Sequence, residues 1–205
     1  MHRKRFLTQL ICFNLVFVLL LLTGCATTPM AVAPENKHLT WEQRQKNLSA
    51  LQNWNIKGLI AIHSAKDSFS ANLQWQQTGN HYTILVFGPL GANSMKLTGM
   101  PGQVLLEMAD GRKFHATNAE SLLNEQLGWR LPVSNLFYWI RGLPAPHLAA
   151  QKNGDVYHHL TTLSQQGWQI QYLQYTQAHQ LDLPSKIFLN APGLSVKIVV
   201  SQWDT

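Results

Sequence analysis

The side chains in this 205-residue chain that could attack, ligate or exchange protons are two cysteines, nine histidines and ten carboxylates, and their spacing points to chemistry at one of them. Cys25 closes the run Leu22-Thr23-Gly24-Cys25. This run resembles a lipobox, which implies S-alkylation of the thiol by a diacylglyceryl group, cleavage before the cysteine and acylation of the new amine. The remaining candidates do not assemble. No Gly-x-Ser-x-Gly elbow presents a serine. The adjacent His158 and His159 would point to opposite faces of a strand over Tyr157 to Leu160, and no Cys or acidic cluster completes a zinc pattern. Glu107 fits an outward strand position and Asp110 a hairpin turn, so they do not read as an acid pair. The expectation is a non-enzyme with no metal, nucleotide or other cofactor apart from the covalent N-acyl and S-diacylglycerol lipid at Cys25.

The residues before Cys25 agree with this. His2, Arg3, Lys4 and Arg5 form a positive start, and Leu10 to Leu22 follow as an apolar run interrupted by Asn14 alone. A membrane-spanning helix needs roughly 20 apolar residues, so this run is short for a permanent anchor. Residues 1–24 read as a cleaved signal peptide with a lipobox at its end. Cys12 is discarded with it, leaving Cys25 as the single mature thiol and no intramolecular disulfide. Two or three acyl chains hold a protein on a membrane stably where one does not. Ala26, in place of an aspartate, is compatible with export to the outer membrane, so the expected location is its periplasm-facing leaflet.

Removal of the leader leaves thirteen basic against ten acidic residues, a net charge of +3. Lys57, Lys66, Lys96, Lys113, Lys152 and Lys197 are scattered along the sequence and form no basic stripe, which argues against nucleic acid. The mature length suits one domain with a substantial core. Residues 25–39 read as a lipidated flexible tether, and 40–205 as the domain.

Thr40-Trp41-Glu42-Gln43 has capping-box form, with Trp41, Leu48 and Leu51 near helical spacing. From Ile56 the period becomes two, giving strands around Ile56 to His63, Phe69 to Gln76, Tyr82 to Phe87, Met95 to Thr98, Gln103 to Met108 and Lys113 to Ala116. Thr117-Asn118-Ala119-Glu120 reads as a second capping box ahead of Leu122, Leu123 and Leu127, and Ser134 to Arg141 as a short apolar helix stopped by Gly142. Strands return at Tyr157 to Leu160, Trp168 to Tyr175, Ser185 to Leu189 and Ser195 to Gln202. These roughly ten strands with few helices predict a curved antiparallel sheet, an open or incomplete barrel. One loop stands out: Gly88-Pro89-Leu90-Gly91 sets a leucine between backbone punctuators.

Leu73-Gln74-Trp75-Gln76-Gln77-Thr78-Gly79 with Tyr82, the loop Pro89-Leu90-Gly91, Leu136, and Trp139-Ile140-Arg141-Gly142-Leu143-Pro144 resemble the LolB family in order and spacing, from the lipobox to the last strand. Gly88 departs from an asparagine found in a family member, which leaves the turn type open. The resemblance implies a mainly β, unclosed antiparallel barrel of about eleven strands, covered by a helical lid and enclosing a hydrophobic cavity. It further implies a monomer that accepts lipoproteins from the periplasmic carrier LolA by their acyl chains and inserts them into the outer membrane, with Leu90 leading the insertion. Candidate cavity residues are Phe69, Leu73, Trp75, Ile84, Val86 and Leu105 on strands, with Leu136, Trp139 and Ile140 from the lid. Two other classes are open. A scaffolding outer-membrane lipoprotein would bind a protein through a sheet edge, and a lipid hydrolase would need a nucleophile and base that the sequence does not bring together.

Overall fold

The period-two segments join into one antiparallel sheet. The structure is a computed structural model and describes residues 38–65, 67–91 and 94–205, apart from the side chain of Leu90. The leader, Cys25 and the tether as far as residue 37 lie outside the described residues. The strands are β1 (Asn53–Ser64), β2 (Ser68–Thr78), β3 (His81–Phe87), β4 (Met95–Met100), β5 (Gln103–Met108), β6 (Lys113–Ala116), β7 (Ala150–Gly154), β8 (Leu160–Gln165), β9 (Trp168–Ala178), β10 (Leu181–Ala191) and β11 (Leu194–Asp204). The helices are α1 (Trp41–Ala50), α2 (Ala119–Leu127) and α3 (Val133–Trp139). Strand order is β6-β5-β4-β3-β2-β1-β11-β10-β9-β8-β7, so the first strand pairs with the last and the terminal strands β6 and β7 do not meet. The barrel is unclosed.

Side-chain alternation sorts the two faces. Ile60 and Ile62 of β1 face Ile198 and Val196 of β11 across the pairing, and Ile56 faces Trp75 of β2, all buried. The pairing of β1 with β11 shifts register at Lys57 and Gly58. A Cβ on Gly58 would lie 2.0 Å from the Val199 carbonyl oxygen, so the bulge that bends the sheet there requires glycine.

The helices differ in how they are held. Thr40 caps α1 as expected: its side chain accepts from the Gln43 amide while Gln43 accepts from the Thr40 amide at 2.9 Å. Beyond that cap α1 buries little, namely Leu48 and the side chain of Arg44. Arg141 closes its other end, donating to the carbonyls of Leu48 at 3.1 Å and Leu51 at 2.7 Å. This puts a cation on the carbonyls at the helix C-terminus, adding to the bond that the Leu48 carbonyl accepts from the Leu51 amide at 3.3 Å.

Several sequence expectations are corrected. The second helix is capped by Asn118 and not Thr117, because the Asn118 carboxamide accepts from the Ser121 amide at 2.8 Å. The third helix runs from Val133 to Trp139, starting one residue before the expected Ser134 and ending two short of Arg141, and Gly142 beyond it has φ of 78°. Tyr157 to Leu160 is largely a turn: Asp155 Oδ1 accepts from the amides of Tyr157 (2.8 Å) and His159 (2.9 Å), and His158 takes φ of 62°. The strand before it, β7, carries Ala-Gln-Lys-Asn-Gly, every residue exposed, and shows no alternation from which it could be read.

Candidate functional site

The inward faces of β1 to β4 and β11, closed over by α2, α3 and the segment between them, enclose an apolar cavity. Its sheet wall is made by Ile60, Ile62, Leu73, Trp75, Ile84, Val86, Met95, Leu97 and Ile198, and its helical side by Leu123, Trp129, Leu131, Val133 and Leu136. No lining residue is charged. Trp75 meets its donor requirement elsewhere, donating to Gln77 Oε1 at 3.0 Å, while Gln77 Nε2 donates to the Gly79 carbonyl at 2.7 Å. The local Trp-Gln-Gln-Thr-Gly sequence thus lets an indole present carbon to the cavity without an orphaned N–H.

The cavity measures about 50 Å³. Roughly 10–15 Å³ of such space holds one water-sized group, so the cavity has room for only a few and the side chains hold it nearly shut. Trp75 and Val133 are also a wall of a wider pocket of about 310 Å³ beside Tyr82, Phe137 and Tyr138. Burial there, with the Glu120 carboxylate adding to it, pushes the Tyr82 hydroxyl up to about 12, and its ring fills the space a side chain on Gly99 would need.

Of the nine residues expected at the cavity, Leu73, Trp75, Ile84, Val86 and Leu136 line it together. Phe69 is displaced to the edge, stacked on Trp129 with centroids 5.3 Å apart. Leu105 is a correction: Val104 and Leu106 are the buried residues of β5, so Leu105 points outward. Trp139 and Ile140 are fully buried, yet they do not line this cavity. Trp139 donates to Gln165 Oε1 at 2.8 Å, its carbonyl accepts from the Tyr172 hydroxyl at 3.0 Å, and Gln165 also ties down both polar backbone groups of Ala145.

Trp-Ile-Arg-Gly-Leu-Pro is therefore a joint and not a lining. Next in it, Arg141 stacks over Phe137 at 4.0 Å and reaches α1, and burial lowers its guanidinium to about 10. A Cβ on Gly142 would press at 3.3 Å on both Pro184 and the Tyr175 hydroxyl. The motif fixes the C-terminal end of α3 to α1 and to the sheet.

Pro89–Gly91 forms a single 3₁₀ turn, with the Gly91 amide donating to the Gly88 carbonyl at 3.1 Å and Gly91 at φ of 79°. Pro89 and Gly91 are exposed, and the side chain of Leu90 between them lies outside the described residues.

A buried polar cluster escaped sequence reasoning. Arg44 of α1 donates to Asp182 Oδ2 at 2.6 Å and to the Tyr157 carbonyl at 2.7 Å. His159 bridges Asp182 at 3.1 Å and Asp155 at 3.0 Å, with Tyr175 stacked on its ring at 4.5 Å. Burial alone would raise the Asp182 carboxyl, but the hydrogen bonds from His159 and Arg44 overcome it and hold it below the ordinary carboxylate range. With Arg44 and Asp182 separated by 138 residues, no local signal could reveal the pair. Glu107 and Asp110 are also accounted for separately: Glu107 pairs with Lys113 and Lys96, and Asp110 with Arg112.

Fold and cavity together define a class, the unclosed antiparallel barrel with helices over an apolar interior. Two solved structures are similar to this chain in fold: a DUF1329 family protein from Desulfovibrio piger (TM-score 0.54, 7% identity, 80% of this chain and 89% of that one) and a LolA superfamily protein from Nitrosomonas europaea (TM-score 0.50, 9% identity, 81% and 93%). At such identities the likeness concerns the fold alone. Residues 52–203 match the family described as Outer membrane lipoprotein LolB, and the chain belongs to that family. It is 42% identical over 200 residues to the Outer-membrane lipoprotein LolB of Pseudomonas syringae pv. syringae, covering 97% of this chain and 96% of that protein. It is 41% identical over 186 residues to that of Nitrosococcus oceani, covering 90% and 92%.

Proposed function

We propose that this protein is an outer-membrane lipoprotein, anchored through an acylated Cys25 after loss of residues 1–24, that accepts lipoproteins from the periplasmic carrier LolA and inserts them into the inner leaflet of the outer membrane. The observation that carries this reading is the cavity whose fourteen lining residues are all apolar. Acyl chains in water cost roughly 25 cal/mol for each Å² of apolar surface exposed, so a chain in transit must be covered throughout. The helices move off the sheet, the chains replace helix-to-sheet contacts, and the bilayer then takes the chains because it covers them more completely still. Each transfer runs downhill in free energy without nucleotide or cofactor. Leu90, carried on an exposed glycine-bounded turn, leads the contact with lipid, where a single leucine adds only modest apolar area.

The sheet-edge scaffold has less to stand on. The terminal strands β6 and β7 are four and five residues long, the short, blunted edges that sheets use to avoid pairing.

Photocrosslinking tests the reading. A photoreactive residue replaces Ile84 in the cavity or Gln74 on the outer face, and carrier loaded with a radiolabelled lipoprotein is added. Crosslinks to cargo from position 84 and not from 74 are expected. Cargo uptake with equal crosslinking at both positions would place the acyl chains elsewhere.

A further inference from the structure

The outer face of the sheet carries a row of side chains fixed by strand register. Lys186 of β10 pairs with Val199 of β11, Val199 with Leu59 of β1, and Leu59 with Asn72 of β2, which pairs with Phe87 of β3. Leu173 extends the row at the irregularity where β9 meets Lys186. Leu59 and Leu173 are 55% and 49% exposed, two of the few large apolar side chains so open to solvent among the described residues. Phe188 and its partner Lys197 lie two residues along, and Lys57 stands two residues before Leu59.

Around this row the charge has one sign, and the carboxylate further along the same face, Glu107 of β5, is paired with Lys96 and Lys113. Strands β1, β2, β3, β8 and β9 contain no carboxylate; β10 has only the buried Asp182, and β11 only Asp204 at its end. Lys57 and Lys197 are exposed, Lys186 is half-exposed, and no ion pair among the described residues involves them.

We infer that this face is a second membrane contact, on which the domain lies against a bilayer bearing anionic headgroups. Lysine stems interleaved with exposed aliphatics suit an interface where ammonium groups meet phosphates while the carbon lies lower. A protein interface centred here would be unusual, since such centres are depleted in lysine. A second copy of the chain would bring like charges together. The inference rests on the proposed acylation of Cys25, which keeps a bilayer within reach of the tether. The row ends at Phe87, the last residue before the loop that carries Pro89–Gly91, so this face is continuous with the proposed insertion turn. Lying on it turns the cavity helices toward the aqueous phase, from which cargo arrives.

The test uses the lipidated protein carrying Ser70→Cys on β2, beside this patch, whose thiol is the free one when Cys25 is acylated. It is labelled with an environment-sensitive fluorophore and reconstituted into phosphatidylcholine vesicles, with or without phosphatidylglycerol, some with brominated acyl chains. Quenching and a blue shift are expected only with phosphatidylglycerol and are reversed by high salt. The contact equilibrium should weaken about fivefold for each of Lys57, Lys186 and Lys197 changed to Gln, and about a hundredfold for all three. A label that stays in water with either lipid, quenching untouched by the triple change, or a response that needs an added protein in place of phosphatidylglycerol overturns the inference. Cargo uptake followed on the same vesicles separates the two claims: uptake without lipid contact refutes this inference alone, and contact without uptake refutes the transfer reading.

Discussion

Asp182→Asn should unlatch α1. The ion pair with Arg44 is 2.6 Å long, and the two side chains are only 5% and 4% exposed. Removing one partner of a buried pair leaves the other charge uncompensated, at a cost of about 3–5 kcal/mol. Asparagine keeps an acceptor for His159 and the Arg44–Tyr157 hydrogen bond survives, so the lower end, about 3 kcal/mol, is expected. For a domain of this size each kcal/mol moves the melting temperature by about 2–4 °C, giving a fall of about 6–12 °C by circular dichroism at neutral pH. The pH dependence has a definite sign. Because the folded-state carboxyl is held below its unfolded value, its contribution is present above the ordinary aspartate value of ~3.9 and is lost as pH falls through the lower folded value. The gap between native and Asp182→Asn should therefore close in acid. A loss under about 1 kcal/mol, the range of exposed pairs, or a gap independent of pH would show that the buried pair does not hold α1.

Leu136→Phe adds carbon to a cavity of about 50 Å³, so cargo uptake should fall while the melting temperature stays within a few degrees; unchanged uptake would move the acyl chains elsewhere. Gly58→Ala drives a Cβ to 2.0 Å from the Val199 carbonyl oxygen and should cost about 1–3 kcal/mol in urea unfolding, whereas a neutral result would mean the bulge can relax. Arg141→Lys keeps the charge but loses the geometry that reaches the Leu48, Leu51 and Phe137 carbonyls together, and about 1–3 kcal/mol should go with increased hydrogen exchange at the end of α1; protection equal to native would show that α1 does not depend on this cap.

Where one face of a strand is buried and the other wet, as in β1 and β2, the sequence states its own register. Leu105 and Leu106 show where that fails: two adjacent leucines allow either parity, and pairing of Leu97 with Leu106 across β4 and β5 decides it. Tyr157 to Leu160 has strand-forming residues, but Asp155 captures two backbone amides and turns the chain. The sheet side of the cavity followed from alternation, with Leu73, Trp75, Ile84 and Val86 on one face. The helical side was less legible, since a short apolar helix offers no cue to which of its residues meet the cavity and which meet the opposite core. Trp139 and Ile140 went to that core because Gln165 and Tyr172, distant in sequence, hold Trp139 there. Nothing local marks Arg44 or Arg141 as buried, because the groups that hold them are distant in sequence.

Two-step transfer separates the receiving of cargo from its insertion. A soluble Cys25→Ala form is mixed with carrier loaded with radiolabelled lipoprotein and then with liposomes, comparing the native turn with Leu90→Glu. Both forms are expected to take cargo from the carrier, and only the native turn to deliver it to lipid. Failure of both folded forms to remove cargo from the cognate carrier would contradict the proposed transfer.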